Sequence, residues 1–191
     1  MRNVRNGYLS ALLFLLVGLN AFAQDWAKAA LEKSPRHQEW AAIKVGDRTL
    51  NAFVVYPEVK GKATAVIVIH ENSGLTDWAR TVADQLAAAG YIAIAPDLLS
   101  GMAPADAKPS EFPGSDAARQ AIRKLTPDGV TADLNAVYDY VSKLPAANGK
   151  VAVAGFCWGG GQSFRYATNQ PALAAAFVFY GPPPADGIAN I

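Results

Sequence analysis

The chain has 191 residues, 51% of them hydrophobic and 17% charged, a balance that excludes a disordered or fibrous protein and suffices for one buried core. Its formal net charge is +1, with Lys and Arg scattered along the chain. It therefore lacks the basic stripe that nucleic acid needs and the polybasic patch that a membrane surface needs, and no nucleic acid partner is expected.

In chain order, Arg2 and Arg5 precede an apolar run from Ala11 to Leu19, and Ala21-Phe22-Ala23 leads into polar Gln24-Asp25. The run is too short to span a bilayer, and small residues at 21 and 23 suit a signal peptidase. Residues 1–23 are thus expected to be a signal peptide cleaved after Ala23. The mature protein is expected to be secreted or periplasmic, nearly neutral and without a membrane span. Cys157 is the one cysteine, in a chain expected to enter a compartment where cysteines usually pair. It is either an inert buried thiol or a working one.

Residues 24–38 read as an N-terminal surface arm, with a short helix over Asp25–Lys33 broken by Ser34-Pro35 and with His37 as a surface residue. The domain proper is expected over residues 39–191. Residues 39–45 and 48–56 read as strands joined by a tight turn at Gly46-Asp47, with alternation in Leu50, Ala52, Val54 and Tyr56. From residue 64 the pattern changes to short continuous apolar runs, Thr64–Ile69, Tyr91–Ala95, Val151–Ala154 and Ala174–Tyr180, as parallel strands buried on both faces require. Helices are predicted over Asp77–Ala89, capped by Gly90, and over Gly129–Leu144, with a Pro- and Gly-rich loop between Leu99 and Gly114. Trp78, Val82, Leu86 and Ala89 form a stripe at helical spacing that reads as core. The fold class is α/β, a mostly parallel sheet with an N-terminal antiparallel hairpin and right-handed crossovers, in one domain.

The strongest chemical signal is Val151-Ala152-Val153-Ala154-Gly155-Phe156-Cys157-Trp158-Gly159-Gly160-Gly161, an apolar strand running through Gly-x-Cys-x-Gly into a helix. A nucleophile elbow needs this arrangement. The central residue takes a strained backbone that lifts its side chain above the sheet, and small residues two positions away let strand and helix approach. The helix N-terminus then favours a thiolate and an oxyanion. A second strand, Val66–Ile69, delivers His70-Glu71-Asn72-Ser73-Gly74-Leu75 to the same carboxyl edge, where open parallel sheets place their ligands. Glu71 reads as a site residue or as a carboxylate that orders the loop. The backbone N–H groups of Asn72 and Trp158 are the candidate oxyanion hole. His70 reads as a strand-end residue that shapes the site.

The segments His70–Leu75 and Gly155–Gly160, with Ala95-Pro96-Asp97-Leu98-Leu99 between them, resemble the dienelactone hydrolase (carboxymethylenebutenolidase) family of α/β-hydrolases from about residue 40 onward. The resemblance implies a Cys-His-Asp triad that hydrolyses a small ester or lactone through a thioester acyl-enzyme, with no cofactor. Cys157 would be the nucleophile, and Glu71 would contact the thiol and help it deprotonate. A free thiol, with its pKa of about 8.5, is mostly protonated at neutral pH without such help. Two departures stand out. Ser100, Gly101 and Met102 occupy the stretch where the family carries an arginine for a substrate carboxylate. In addition, the triad acid and histidine follow the nucleophile on later strands, and only residues 158–191 follow Cys157. The fold is therefore expected to be C-terminally incomplete by on the order of 60 residues, and the fragment inactive. Asp186 lies one strand too early to be the acid.

No His, Cys or carboxylate spacing fits a metal site, and no Gly-rich phosphate loop is present. The competing readings are a non-catalytic ligand-binding module that keeps the pocket and a redox-sensing thiol, although no resolving cysteine accompanies Cys157. Sequence alone leaves the substrate and the oligomeric state open.

Overall fold

A computed structural model describes residues 26–103, 112 and 115–185. The expected signal peptide and its cleavage site lie outside the described residues, as does Asp186. Strands β1 (Gln38–Val45) and β2 (Arg48–Val55) form the antiparallel hairpin in register from Gln38↔Val55 to Val45↔Arg48. Gly46 takes φ 57° in its turn, which glycine adopts without a Cβ clash. β2 runs antiparallel to β4 (Ile92–Pro96), and β3 (Ala63–Ile69), β5 (Ala147–Phe156) and β6 (Ala175–Phe179) run parallel to β4. The sheet order is β1-β2-β4-β3-β5-β6.

β3 and β4 are almost wholly buried, so the sheet must be covered on both faces. Helix α4 (Pro127–Ser142) lays Val130, Leu134, Val137 and Val141 on one face, against Ile67, Ile69, Ile94 and Val153. Helix α2 (Asp77–Ala88) lies on the other, against Phe53, Val55, Val68 and Ala93. The two helices start cleanly, because Thr126 accepts from Gly129 N–H at 3.1 Å with Pro127 at the first position, and Thr76 caps α2. Gly90 ends α2 at φ 96°, its N–H bonding Ala87 O while Tyr91 N–H bonds Leu86 O, as the apolar pattern and the glycine predict.

Two expectations are corrected and a third is extended. The residues of α2 nearest the sheet are Ala79, Ala83 and Ala87, while Trp78, Val82 and Leu86 are only partly buried. Small side chains let the helix axis come close, and the larger ones flank it. The Pro- and Gly-rich stretch is followed by a further helix, α3 (Ser115–Ile122), whose Ala118, Ala121 and Ile122 pack on Leu99. It is only two turns long, and its apolar face is mostly alanine, so its periodicity is weak.

The N-terminal arm, finally, lies on the surface but is docked on the domain through its helix. Its helix α1, residues 26–32, buries Ala27 and Leu31 against α2, and Thr81 Oγ1 donates to Ala27 O at 3.2 Å. Ser34, Arg36 and Gln38 all converge on Asp84. Burial opposes the charge on Asp84, but the bonds from Arg36, Ser34 and Gln38 outweigh it and hold the carboxyl below its ordinary value. A buried acid on α2 thus became the socket for the arm. No helix of the described residues is long and apolar enough to cross a membrane.

Candidate active site

Cys157 sits between the last residue of β5 and the first of α5 (Trp158–Asn169), at φ 55° and ψ −118°. Such a conformation costs a non-glycine residue about 1–3 kcal/mol, and it persists only where the surroundings fix it. They do so by backbone contact. A Cβ at Gly155 would lie 1.9 Å from Gly159 O, and one at Gly159 would lie 2.4 Å from His70 O and 2.5 Å from Ile69 O. The first turn of α5 is therefore pressed against both β5 and the end of β3. The elbow is also tied to β6, because Cys157 N–H donates to Phe179 O at 3.0 Å. The thiol is half-buried and unpaired with any other cysteine. Trp158 opens α5, so its N–H is a first-turn donor with no acceptor in the helix.

The end of β3 meets this turn. His70 is fully buried and its ring stacks on Trp158, with centroids 5.5 Å apart and planes at 22°. Its Nδ1 lies 2.7 Å from Glu71 O. A carbonyl only accepts, so Nδ1 carries the proton and Nε2 presents a lone pair, which has no partner. Burial pushes the imidazole down to about 4, against the opposing bond to Glu71 O, so the ring is neutral at neutral pH. The chain then turns over Glu71–Gly74, with Gly74 N–H donating to Glu71 O at 3.3 Å.

The half-buried Glu71 carboxylate accepts from Tyr180 Oη at 3.1 Å. Tyr180 follows β6 at φ 44°, and burial together with the neighbouring Glu71 and Cys157 raises its phenol above the ordinary value. Among the described residues, the hydrogen bond of Glu71 goes to this phenol, whereas the resemblance implied contact with the thiol. Sequence reasoning placed Tyr180 at a strand end but not in the site. The available signal was an aromatic residue at the carboxyl end of a parallel strand, followed by Gly181-Pro182.

Aromatic rings pack beside the elbow. Phe156 stacks on Phe179 at 4.7 Å and meets the edge of Trp78 at 5.1 Å. Trp158 packs instead on the cluster of Leu99, Ala118, Ala121 and Ile122, so α3 and the turn after β4 border the opposite side. At the end of β4, Asp97 is fully buried with Oδ1 accepting from Leu99 N–H at 3.2 Å and Oδ2 unpartnered. Burial drives its carboxyl up to about 6, against the bonds from Leu99 and Ser100 and the charge of Arg48. Ser100, where the resemblance would place an arginine nearby, is committed to the fold. Its Oγ donates to Asp97 O at 2.6 Å and accepts from Asn51 N–H at 2.9 Å.

The structure thus brings Cys157, Trp158, His70, Glu71 and Asn72 to one edge of the sheet, while His37 stands exposed by Glu39 at the start of the outermost strand, β1. Among the described residues, no three of His, Cys, Asp and Glu stand together as a metal-binding group.

A profile of the dienelactone hydrolase family matches residues 50–191. A Salmonella typhi protein and a Yersinia pestis protein, both bearing the carboxymethylenebutenolidase name, are 33% and 32% identical over 122 and 134 residues. These matches cover 63% and 69% of this chain and 44% and 49% of the relatives. A Klebsiella pneumoniae crystal structure bearing the dienelactone hydrolase name superposes with TM-score 0.67 at 27% identity, covering 79% of this chain and 62% of that one. The chain spans about half the length of these two relatives. With its mixed sheet and elbow, the chain belongs to the dienelactone hydrolase family of the α/β-hydrolases.

Proposed function

We propose that the protein of which this chain is part hydrolyses a small ester or lactone, with Cys157 as nucleophile. The observation that carries the proposal is the left-handed backbone of Cys157, imposed by glycine-only contacts between β5, α5 and β3. A packed structural cysteine has no need of that strain.

The thiolate of Cys157 attacks the substrate carbonyl. The developing oxyanion is held by the N–H groups of Asn72 and Trp158, each worth roughly 3 kcal/mol of barrier. Collapse expels the alcohol and leaves a thioester, which water cleaves to the acid and free thiol. Glu71, whose Oε1 accepts from Tyr180, takes the thiol proton on substrate binding. The acid and histidine that complete the triad are expected from later strands of the longer protein, and this chain alone is expected to be inactive. Ser100 in place of a carboxylate-binding arginine favours neutral over anionic substrates. The apolar N-terminal run favours export as a secreted or periplasmic protein.

The test is hydrolysis of p-nitrophenyl acetate by the gene's complete reading frame, by its Cys157→Ala variant and by residues 24–191. Turnover by the first alone supports the proposal, with at most one stoichiometric burst from the fragment. Unchanged turnover in Cys157→Ala would remove the nucleophile and the mechanism with it.

A further inference from the structure

The mechanism leaves the imidazole of His70 unused, although it is fully buried against the elbow. We infer that His70 is a positioning residue that aims both oxyanion donors, through its bond to the Glu71 carbonyl and its stack on Trp158. The inference rests on the assignment of the Asn72 and Trp158 amides as the oxyanion hole.

Glu71 O and Asn72 N–H belong to one peptide unit, and all described peptides are trans. In a planar trans peptide the C=O and N–H point in opposite directions. Whatever fixes the Glu71 carbonyl therefore fixes the direction of the Asn72 N–H. Two donors do so from the interior side, His70 Nδ1 at 2.7 Å and Gly74 N–H at 3.3 Å. The imidazole bond is the shorter, and its donor ring is fully buried, where a bond holds its geometry more firmly. The Asn72 N–H is thereby turned away from the imidazole.

The same ring meets the second donor. Stacked on Trp158 at 5.5 Å, it braces the side chain of the residue whose backbone N–H opens α5, just where Gly159 touches the His70 and Ile69 carbonyls. One side chain thus spans the two peptides that must converge on one oxygen.

The residue type fits this task. The bond to Glu71 needs a donor at the Nδ1 position, and the stack needs a flat ring. A charged ring would be costly here, and burial keeps His70 neutral. Its bare Nε2, without a partner at zero exposure, is the cost that a purely packing role would have avoided by using an apolar ring.

The experiment uses the complete reading frame and p-nitrophenyl acetate, with His70→Phe, His70→Asn and His70→Gln. The Asn amide nitrogen takes the place of Nδ1, whereas the Gln amide reaches toward Nε2. His70→Phe is expected to lower kcat about 100-fold with little change in KM, since oxyanion donors act mainly in the transition state. His70→Asn is expected to exceed His70→Gln by at least tenfold in kcat. If His70→Phe does not fold, the Asn and Gln pair decides alone.

Alkylation of Cys157 by iodoacetamide, which forms no oxyanion, should proceed at the wild-type rate in every folded variant. Equal kcat in Asn and Gln, or alkylation slowed in step with kcat, would overturn the positioning role. Wild-type turnover that survives Cys157→Ala would instead overturn the proposed function, so the two failures are distinct.

Discussion

The Tyr180 hydroxyl reaches across the end of β5 to the Glu71 carboxylate, 3.1 Å from Oε1, so the residues after β6 and β3 are joined over the strand that carries Cys157. The phenol donates to a carboxylate that the proposed chemistry needs as a proton acceptor. A bond to a charged group is among the stronger hydrogen bonds, but Tyr180 is exposed, so breaking it is cheap.

Glu71→Gln in the complete protein should lower kcat/KM by about 100-fold, the ordinary contribution of a positioned acid or base. Tyr180→Phe frees the carboxylate and should speed acylation by about fivefold, equivalent to roughly 1 kcal/mol of released hydrogen bond. Stopped-flow release of p-nitrophenol reads both. A slower burst in Tyr180→Phe would mean that the phenol holds Glu71 in its working position.

Gly159→Ala tests the elbow by volume alone. The new Cβ would meet two backbone carbonyls of β3 at 2.4 and 2.5 Å, and neither can rotate away. Overpacking against fixed backbone should cost about 3 kcal/mol or more, with loss of soluble protein as the outcome where stability is marginal. Gly46→Ala, with open space around its Cβ, should cost about 1 kcal/mol from its positive φ alone. Denaturant midpoints of the two variants give the comparison, and equal midpoints would show that the elbow can relax.

Much of this was legible in the sequence because the decisive features are local. Gly-x-Cys-x-Gly after an apolar strand, and a strand ending in His-Glu, each announce a position on the sheet edge. Other features were hidden because they arise only across the fold. Asp84 as the socket for Arg36, and Tyr180 as the partner of Glu71, join residues far apart in sequence. The alanine face of α2 was misread because hydrophobicity marks large residues, while close packing selects small ones.

Strand β6 carries Phe177 and Val178 with 52% and 38% of their surface exposed, on an edge that no described residue covers. An apolar open edge recruits further strands. Residues 24–191 should therefore self-associate at micromolar concentration, and Phe177→Lys should raise the soluble, monomeric fraction several-fold. Light scattering and size-exclusion chromatography of both samples read this. A monodisperse wild-type fragment that melts cooperatively would contradict it.

His70 and Asp97 make opposite demands on pH. The His70 imidazole falls from about 6.5 in the unfolded chain to about 4 when folded, so the unfolded state binds its proton first as pH drops. Its contribution is complete above pH 6.5 and is lost toward pH 4, about 3 kcal/mol in all. The Asp97 carboxyl rises from 3.8 to about 6, so the folded state binds its proton first, and acidification relieves a buried charge by a similar amount. The two terms nearly cancel between pH 6 and 4. Asp97→Asn removes one of them, so its stability relative to wild type should fall by about 3 kcal/mol from pH 7 to pH 4. His70→Phe should move the other way, gaining on wild type as pH falls. Urea unfolding of the three proteins at pH 7, 5.5 and 4.5 tests the pair. Differences that stay constant across that range would mean that neither group titrates as its burial dictates.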